Sequence, residues 1–230
     1  MAVVHTMLAD FFAGFVGLLI ALIITGMFVP DMLQKGRVDV LLSRPIGRGA
    51  ILLYKYLGGL LFVLLNVVYL VGGCWLGLAA RTGIWNPAFL LTIPVLMLVF
   101  AVFYAFSVWM AVLSRSALVS ILCTLALWVS SFSAGRFHAR ARDPQAESVF
   151  PAWFEKVVEA VYYVLPKTSD LKDLNSAVIM RSHLGEEAAA TLPLPVSGDP
   201  SAWPLYVTSS VVMLGVFLAC AIVLFKRRDY

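Results

Sequence analysis

The sequence predicts an all-α protein, a polytopic bundle of about five transmembrane helices that forms a single domain over residues 1–230. Of its 230 residues, 61% are hydrophobic and only 13% are charged, whereas soluble domains are about 45–50% apolar and about 25% charged. Five apolar stretches are long enough to cross a bilayer, which takes about 20 helical residues. Basic residues also collect in the short loops on one side of these stretches, as is typical of membrane proteins.

The predicted spans cover about residues 8–29, 51–80, 89–113, 118–134 and 206–225. The first is unlike a cleaved secretory signal, because its apolar core is too long and no Lys or Arg precedes it. Asn66 lies near the middle of the second span, where a buried amide usually hydrogen-bonds another helix. We therefore expect Asn66 to make an intramembrane polar contact with a neighbouring helix, or alternatively with a substrate.

The distribution of Lys and Arg predicts the orientation of the spans. One side of the bundle would carry only Arg81 in a short loop. The other side carries the interval 30–50, called the connector here, together with the start of the second span, the turn before the fourth span and the C-terminus. The basic residues on that side are Lys35, Arg37, Arg44, Arg48, Lys55, Arg115, Lys226, Arg227 and Arg228. This bias predicts a cytoplasmic connector and C-terminus, with the segment 135–204 on the outer side.

The outward segment 135–204 contains an amphipathic helical pattern at residues 149–165, read VFPAWFEKVVEAVYYVL. It is too polar to span a membrane, so an interfacial or re-entrant helix fits best. Pro166 ends it, and Asp170 with the preceding serine is positioned to cap a second helix that runs to about Arg181. The apolar stripe of the first helix consists of Phe150, Trp153, Phe154, Val157, Val158, Val161 and Tyr162. This stripe is expected to pack on the span ends or to lie in the outer interface.

The connector carries an ordered set of residues between two spans. Pro30 and Asp31 stand at the membrane exit, Gly36 follows, the run LLSRPIGR occupies 41–48, and Lys55 begins the next span. This set resembles the cytoplasmic loop of type-2 permeases of ATP-binding-cassette exporters. The basic C-terminus and the large outward segment before the last span are similar to that family as well. Typical members have six spans, so the chain is expected to lack the usual first one.

The resemblance implies that the connector docks on a separate cytoplasmic ATPase through the loop 31–48. A short helix there would offer apolar contacts and a polar rim to a groove of the ATPase. The apolar set is Met32, Val38, Leu41 and Leu42, and the rim is Lys35, Arg37, Asp39, Arg44 and Arg48. Pro45 would stop the helix, and Gly36 would allow close backbone approach or a kink.

The resemblance further implies two permease copies in a bacterial inner membrane, as a homodimer or a heterodimer, embedded in the lipid bilayer. The outward stripe would form the exit gate. ATP and Mg would be bound by the ATPase, because the chain has no phosphate-binding glycine-rich loop. No catalytic, cofactor or metal residues are predicted, and no nucleic acid partner. The three histidines are far apart in sequence and are expected on the surface.

Two other classes of membrane protein remain consistent with the sequence. One is a non-transporting membrane module, either an anchor or assembly factor or a subunit that only transmits mechanical movement. The other is a secondary transporter, which usually shows internal repeats and buried ionisable residues. The transported substrate is left open by the sequence.

Overall fold

A computed structural model describes residues 17–32, 47–83, 85–141, 157, 162, 165–167, 170–173, 175, 176, 178 and 203–227. It confirms the predicted all-α membrane bundle. Within these residues the secondary structure is helical, with no strand. Four helices are long and apolar enough to cross a membrane, at Gly49–Arg81, Pro87–Ser114, Ala117–Gly135 and Trp203–Arg227, and a shorter apolar helix covers Leu19–Asp31.

The helices are numbered along the chain. They are α1 (Gly17–Gly26), α2 (Phe28–Met32), α3 (Arg48–Thr82), α4 (Thr92–Ser114), α5 (Ala117–Ala141) and α6 (Trp203–Arg227), with a 3₁₀ turn at Pro87–Leu91 directly before α4. The helix α5 continues seven residues beyond residue 134, where the apolar run ends. Hydropathy marks where a helix leaves the membrane, whereas the helix itself continues until a breaker intervenes, and residues 136–141 contain neither Pro nor Gly.

Local residues explain the ends of the spans. The helix α3 ends where Gly83 adopts a left-handed φ of 73° and donates its N–H to Ala79 O at 2.8 Å, as glycine often does after a helix. The Asn86 side chain then accepts from Ala88 N at 3.0 Å and caps the 3₁₀ turn. Between α4 and α5 the chain turns within two residues, with Arg115 in the left-handed region at φ 55°.

The described helices divide between two compact units, and α3, α4, α5 and α6 contribute to both. The first unit comprises Met1–Asn66, Leu96–Leu127 and Leu214–Tyr230. Its core is built on α4, the most buried of the four candidate spans. The large side chains that are 1% exposed or less are Phe100, Phe103 and Tyr104 from α4, Leu52 from α3, and Phe225 from α6.

The second unit comprises Val67–Val95 and Trp128–Met213. Its buried side chains include Trp128 of α5 and Tyr206 of α6. Tyr162 and Leu171, from the segment between those two helices, are buried as well. Tyr162 and Leu171 of the outward segment are therefore packed against protein within this unit.

Candidate functional site

Most of the predicted docking residues of the connector lie outside the described residues. These are Lys35, Gly36, Arg37, Val38, Asp39, Leu41, Leu42, Arg44 and Pro45. Asp31 is exposed near the end of α2, and Met32 and Arg48 mark the last residue of α2 and the first of α3. The docking helix itself stays a prediction, but both ends of the connector can be examined.

Two aromatic contacts join the two ends of the connector. The Phe28 ring at the start of α2 meets the Phe62 ring of α3 edge to face, with centroids 6.0 Å apart. Lys55 Nζ lies 5.8 Å from the centroid of the same Phe28 ring, within cation–π range. The helix that enters the connector and the helix that leaves it are thereby in direct contact.

The first turn of α3 also packs against the last turns of α6. A Cβ placed on Gly49 would lie 3.1 Å from Ile222 Cγ2 and 3.1 Å from Lys226 Cε. Both distances are shorter than ordinary carbon contacts of about 3.5–4.0 Å. The absence of a side chain at position 49 therefore lets the C-terminal helix approach the connector exit closely.

About two to three turns further along, α3 packs against α4 through Tyr56 and Gly59. Tyr56 Oη donates to Ala101 O at 2.9 Å in a buried hydrogen bond. The Tyr56 ring stacks on Tyr104 with centroids 5.1 Å apart, and Tyr104 stacks in turn on Phe100 at 5.3 Å. A Cβ on Gly59 would lie 2.7 Å from Tyr104 Cε1 and Cζ, and closer still to its Oη. Only glycine fits at position 59 with Tyr104 in this place.

A second polar and small-residue contact joins α4 to α5. Ser120 Oγ donates to Ser107 O at 2.6 Å, and the two hydroxyl oxygens are 3.1 Å apart. On the same side, a Cβ on Gly26 of α1 would lie 2.9 Å from Ile121 Cγ1 and 3.6 Å from Ser107 Oγ. The end of α1, just before the connector, is thus held close to α4 and α5.

Asn66 lies on an exposed part of α3, where its Nδ2 donates to Phe62 O of the preceding turn at 2.7 Å. This bond is within one helix. The interhelical or substrate contact expected for Asn66 stays a prediction.

Two members of the predicted outward stripe are described, and they differ in environment. Val157 is helical and 51% exposed, whereas Tyr162 is 6% exposed. The other members, Phe150, Trp153, Phe154, Val158 and Val161, lie outside the described residues. Tyr162 Oη donates to Asp170 Oδ2 at 2.7 Å in a buried hydrogen bond.

Side chains that the sequence did not single out for a site surround Tyr162. The His138 ring stacks on Tyr162 with centroids 3.8 Å apart and is 9% exposed, so the expectation of a surface histidine is wrong at this position. Lys167 Nζ lies 5.4 Å from the ring centroids of both Tyr162 and Tyr206. His138 lies on the part of α5 that continues past the apolar run, and the ring of Tyr162 covers it there.

Two further hydrogen bonds attach this segment to the ends of the spans in the second unit. Ser131 Oγ of α5 donates to Pro166 O at 2.7 Å. Asn175 Nδ2 donates to Thr92 Oγ1 at the start of α4, at 3.1 Å. Asp170 and Asn175 are each 7% exposed. The segment therefore contacts α4, α5 and α6, and it presents several buried polar groups there.

The described residues contain no group of three or more His, Cys, Asp or Glu side chains arranged to hold a metal ion. Within each unit the described geometry consists of helix–helix contacts and side-chain hydrogen bonds.

Comparison with known proteins defines the family. The family described as "ABC-2 family transporter protein" matches residues 2–230, so nearly the entire chain is covered. The chain belongs to the ABC-2 transporter family, whose membrane domains are components of transporters and are not themselves catalytic. Family members generally work with an ATPase partner. No curated protein and no solved structure matches the chain in the same comparisons.

Proposed function

We propose that the chain is the membrane-spanning permease subunit of an ATP-driven exporter. It forms part of the translocation path and pairs with a second permease copy. The loop 31–48 docks on a separate cytoplasmic ATPase, which binds ATP and Mg. The protein resides in a bacterial inner membrane with its C-terminus in the cytoplasm. Family membership supports a transport role, and the motif within 41–48 supports the site of docking.

The observation that carries this proposal is the packing of α3 directly behind the connector. Within its first four turns, α3 touches α2 through Phe28, α4 through Tyr104 and α6 through Ile222. Gly59 brings it into a contact too tight for a side chain, and Gly49 brings it into a close contact with α6. Close-packed protein transmits displacement rather than absorbing it. A displacement of the connector would therefore be transmitted through α3 to α2, α4 and α6 in the first unit.

The outward segment is proposed to be the exit-side gate. Its support is the described packing of Tyr162 and Pro166 on α5, of Asn175 on α4 and of Lys167 on α6 in the second unit. The hydrogen bonds between Ser131 and Pro166 and between Asn175 and Thr92 hold the segment in one arrangement. Each contributes only about 0.5–1.5 kcal/mol net to stability. A modest movement of the spans is enough to release them.

Co-purification tests the docking step. The chain is co-expressed with a candidate ATP-binding-cassette ATPase from the same genome, and the complex is isolated through a tag on the permease. Leu41→Asp with Leu42→Asp would place unpaired charge against an apolar groove, which costs several kcal/mol. We expect the ATPase to be lost from this variant. Gln34→Asp, which adds charge to the connector at a polar position, is the matched control and should retain the ATPase.

Retention of the ATPase by the Leu41→Asp/Leu42→Asp variant would contradict docking through this loop. Orientation is checked independently in a background without the three native cysteines. A cysteine at Gly36 should react with an impermeant maleimide only after the membrane is permeabilised, and one at Ser197 without permeabilisation. The reverse labelling pattern would overturn the cytoplasmic placement of the connector.

A further inference from the structure

The end of α6 is a second basic element beside the connector exit. Lys226 and Arg227 form the last turn of α6, and both are exposed. Lys and Arg at a helix C-terminus interact favourably with the helix dipole, and they also fit the orientation rule for cytoplasmic ends. Those two effects explain the charges themselves, but they do not explain the position of Lys226 relative to the connector.

That position is set by Gly49. A Cβ on Gly49 would lie 3.1 Å from Lys226 Cε and 3.9 Å from its Nζ. The lysine stem therefore lies across the first turn of α3, two residues after the motif residue Gly47. Any soluble protein that binds the connector comes within reach of the charged end of α6.

Basic residues outnumber acidic residues in the described part of the first unit. In the described part of the first unit, the basic residues are Arg48, Lys55, Arg115, Lys226 and Arg227, and the acidic residue is Asp31. Positive charge therefore predominates among these residues, and the exposed Lys226 and Arg227 suit acidic groups on a partner. Charges at the rim of an interface mainly raise the association rate and fix the register of the partner.

We propose that Lys226 and Arg227 form a second docking contact for the same ATPase, next to the connector, and pair with acidic side chains on it. This inference rests on the proposed function. The basic C-terminal turn then adds to the docking proposed for the connector, and the Gly49 contact holds it beside the first turn of α3. The ATPase would thereby engage the last span as well as the two spans joined by the connector.

The test measures the affinity of the purified permease, in detergent without added lipid, for the ATPase that co-purifies with it. Lys226→Glu with Arg227→Glu should raise the Kd about tenfold at about 0.1 M salt, equivalent to about 1.4 kcal/mol. The difference between wild type and variant should shrink at 1 M salt, where the Debye length is about 3 Å. Arg81→Glu, a charge reversal in the last turn of α3, is the matched control and should leave the Kd unchanged.

A second variant, Lys226→Gln with Arg227→Gln, guards against misfolding of the charge-reversed protein and should show a smaller loss in the same direction. Unchanged affinity in both variants overturns the proposal. An effect seen only in nanodiscs with anionic lipid, and absent in zwitterionic ones, would assign the two charges to lipid headgroups and also overturn it. If Leu41→Asp/Leu42→Asp retains full affinity, the proposed function fails first. If that variant loses the ATPase while the charge-reversed one keeps it, only the present inference fails.

Discussion

Replacement of Gly59 by alanine tests the tightest helix contact in the first unit. The added Cβ would lie 2.7 Å from Tyr104 Cε1 and Cζ, roughly 0.8 Å inside the usual carbon contact distance of about 3.5 Å. Tyr104 has little room to retreat, because it is 0% exposed and its ring stacks on both Tyr56 and Phe100. The strain must therefore be relieved by separation of α3 from α4 or by distortion of the aromatic stack.

The expected loss of folding stability in Gly59→Ala is the difference between two opposing effects. Overpacking a filled interior costs about 1–3 kcal/mol, while replacing a helical glycine by alanine recovers about 0.5–1 kcal/mol. The net destabilisation is then about 0–2.5 kcal/mol, with the middle of the range near 1 kcal/mol. In a chain of this size, each kcal/mol lowers Tm by roughly 2–4 °C. Gly59→Ala should therefore lower the melting temperature by about 2–5 °C at the middle of that range.

The assay is thermal unfolding of the purified protein in detergent, followed by tryptophan fluorescence. Gly58→Ala is a matched control, since nothing lies within 4 Å of a Cβ at that position, and its Tm should stay the same or rise. Among the described residues Tyr104 Oη has no hydrogen-bond partner, so Tyr104→Phe should be tolerated and should partly rescue Gly59→Ala by removing the nearest atom. Equal melting temperatures for the two alanine variants would refute the close approach of α3 and α4.

Two tyrosine variants test the hydrogen bonds of Tyr162 and Tyr56 by the same melting assay. Tyr162→Phe leaves the buried carboxylate of Asp170 without the phenol donor and should cost about 1.5–3 kcal/mol, seen as a lower Tm. Tyr56→Phe removes the donor to Ala101 O and should cost only about 0.5–1.5 kcal/mol, because the aromatic stack survives. Tyr69→Phe controls for both, since Tyr69 is 85% exposed; a Tm shift in the control as large as in the variants would show that neither hydrogen bond is responsible.

The fold class was readable from the sequence because hydropathy and helix length leave few alternatives for a chain in a membrane. The break between α3 and α4 was also readable, because the apolar pattern stops at residue 80 and resumes at residue 89. Gly83 and Pro87, which often interrupt helices, lie in that interval. The predicted fourth span, 118–134, follows the apolar pattern, whereas the helix α5 continues to Ala141. His138 was misplaced on the surface because its burial depends on the ring of Tyr162, which is distant in the sequence.

The contacts of the candidate site were not predictable, because they depend on which helix faces meet. Gly58 and Gly59 are adjacent and chemically identical, yet only position 59 lies against Tyr104. Lys226 reads as an ordinary cytoplasmic flank in the sequence, and only tertiary packing places it on Gly49, 177 positions earlier in the chain. Periodicity describes one helix at a time, whereas these contacts join residues from distant parts of the chain.

Coupling of nucleotide state to the spans is tested most directly at Val157, an exposed position of the outward segment. Spin labels at this position in the two copies of the assembled complex report one distance by pulsed electron resonance. The account predicts that the distance changes when ATP and a phosphate analogue trap the ATPase, and that the change disappears in the Leu41→Asp/Leu42→Asp variant. A distance that stays constant while the complex hydrolyses ATP and transports would contradict the account.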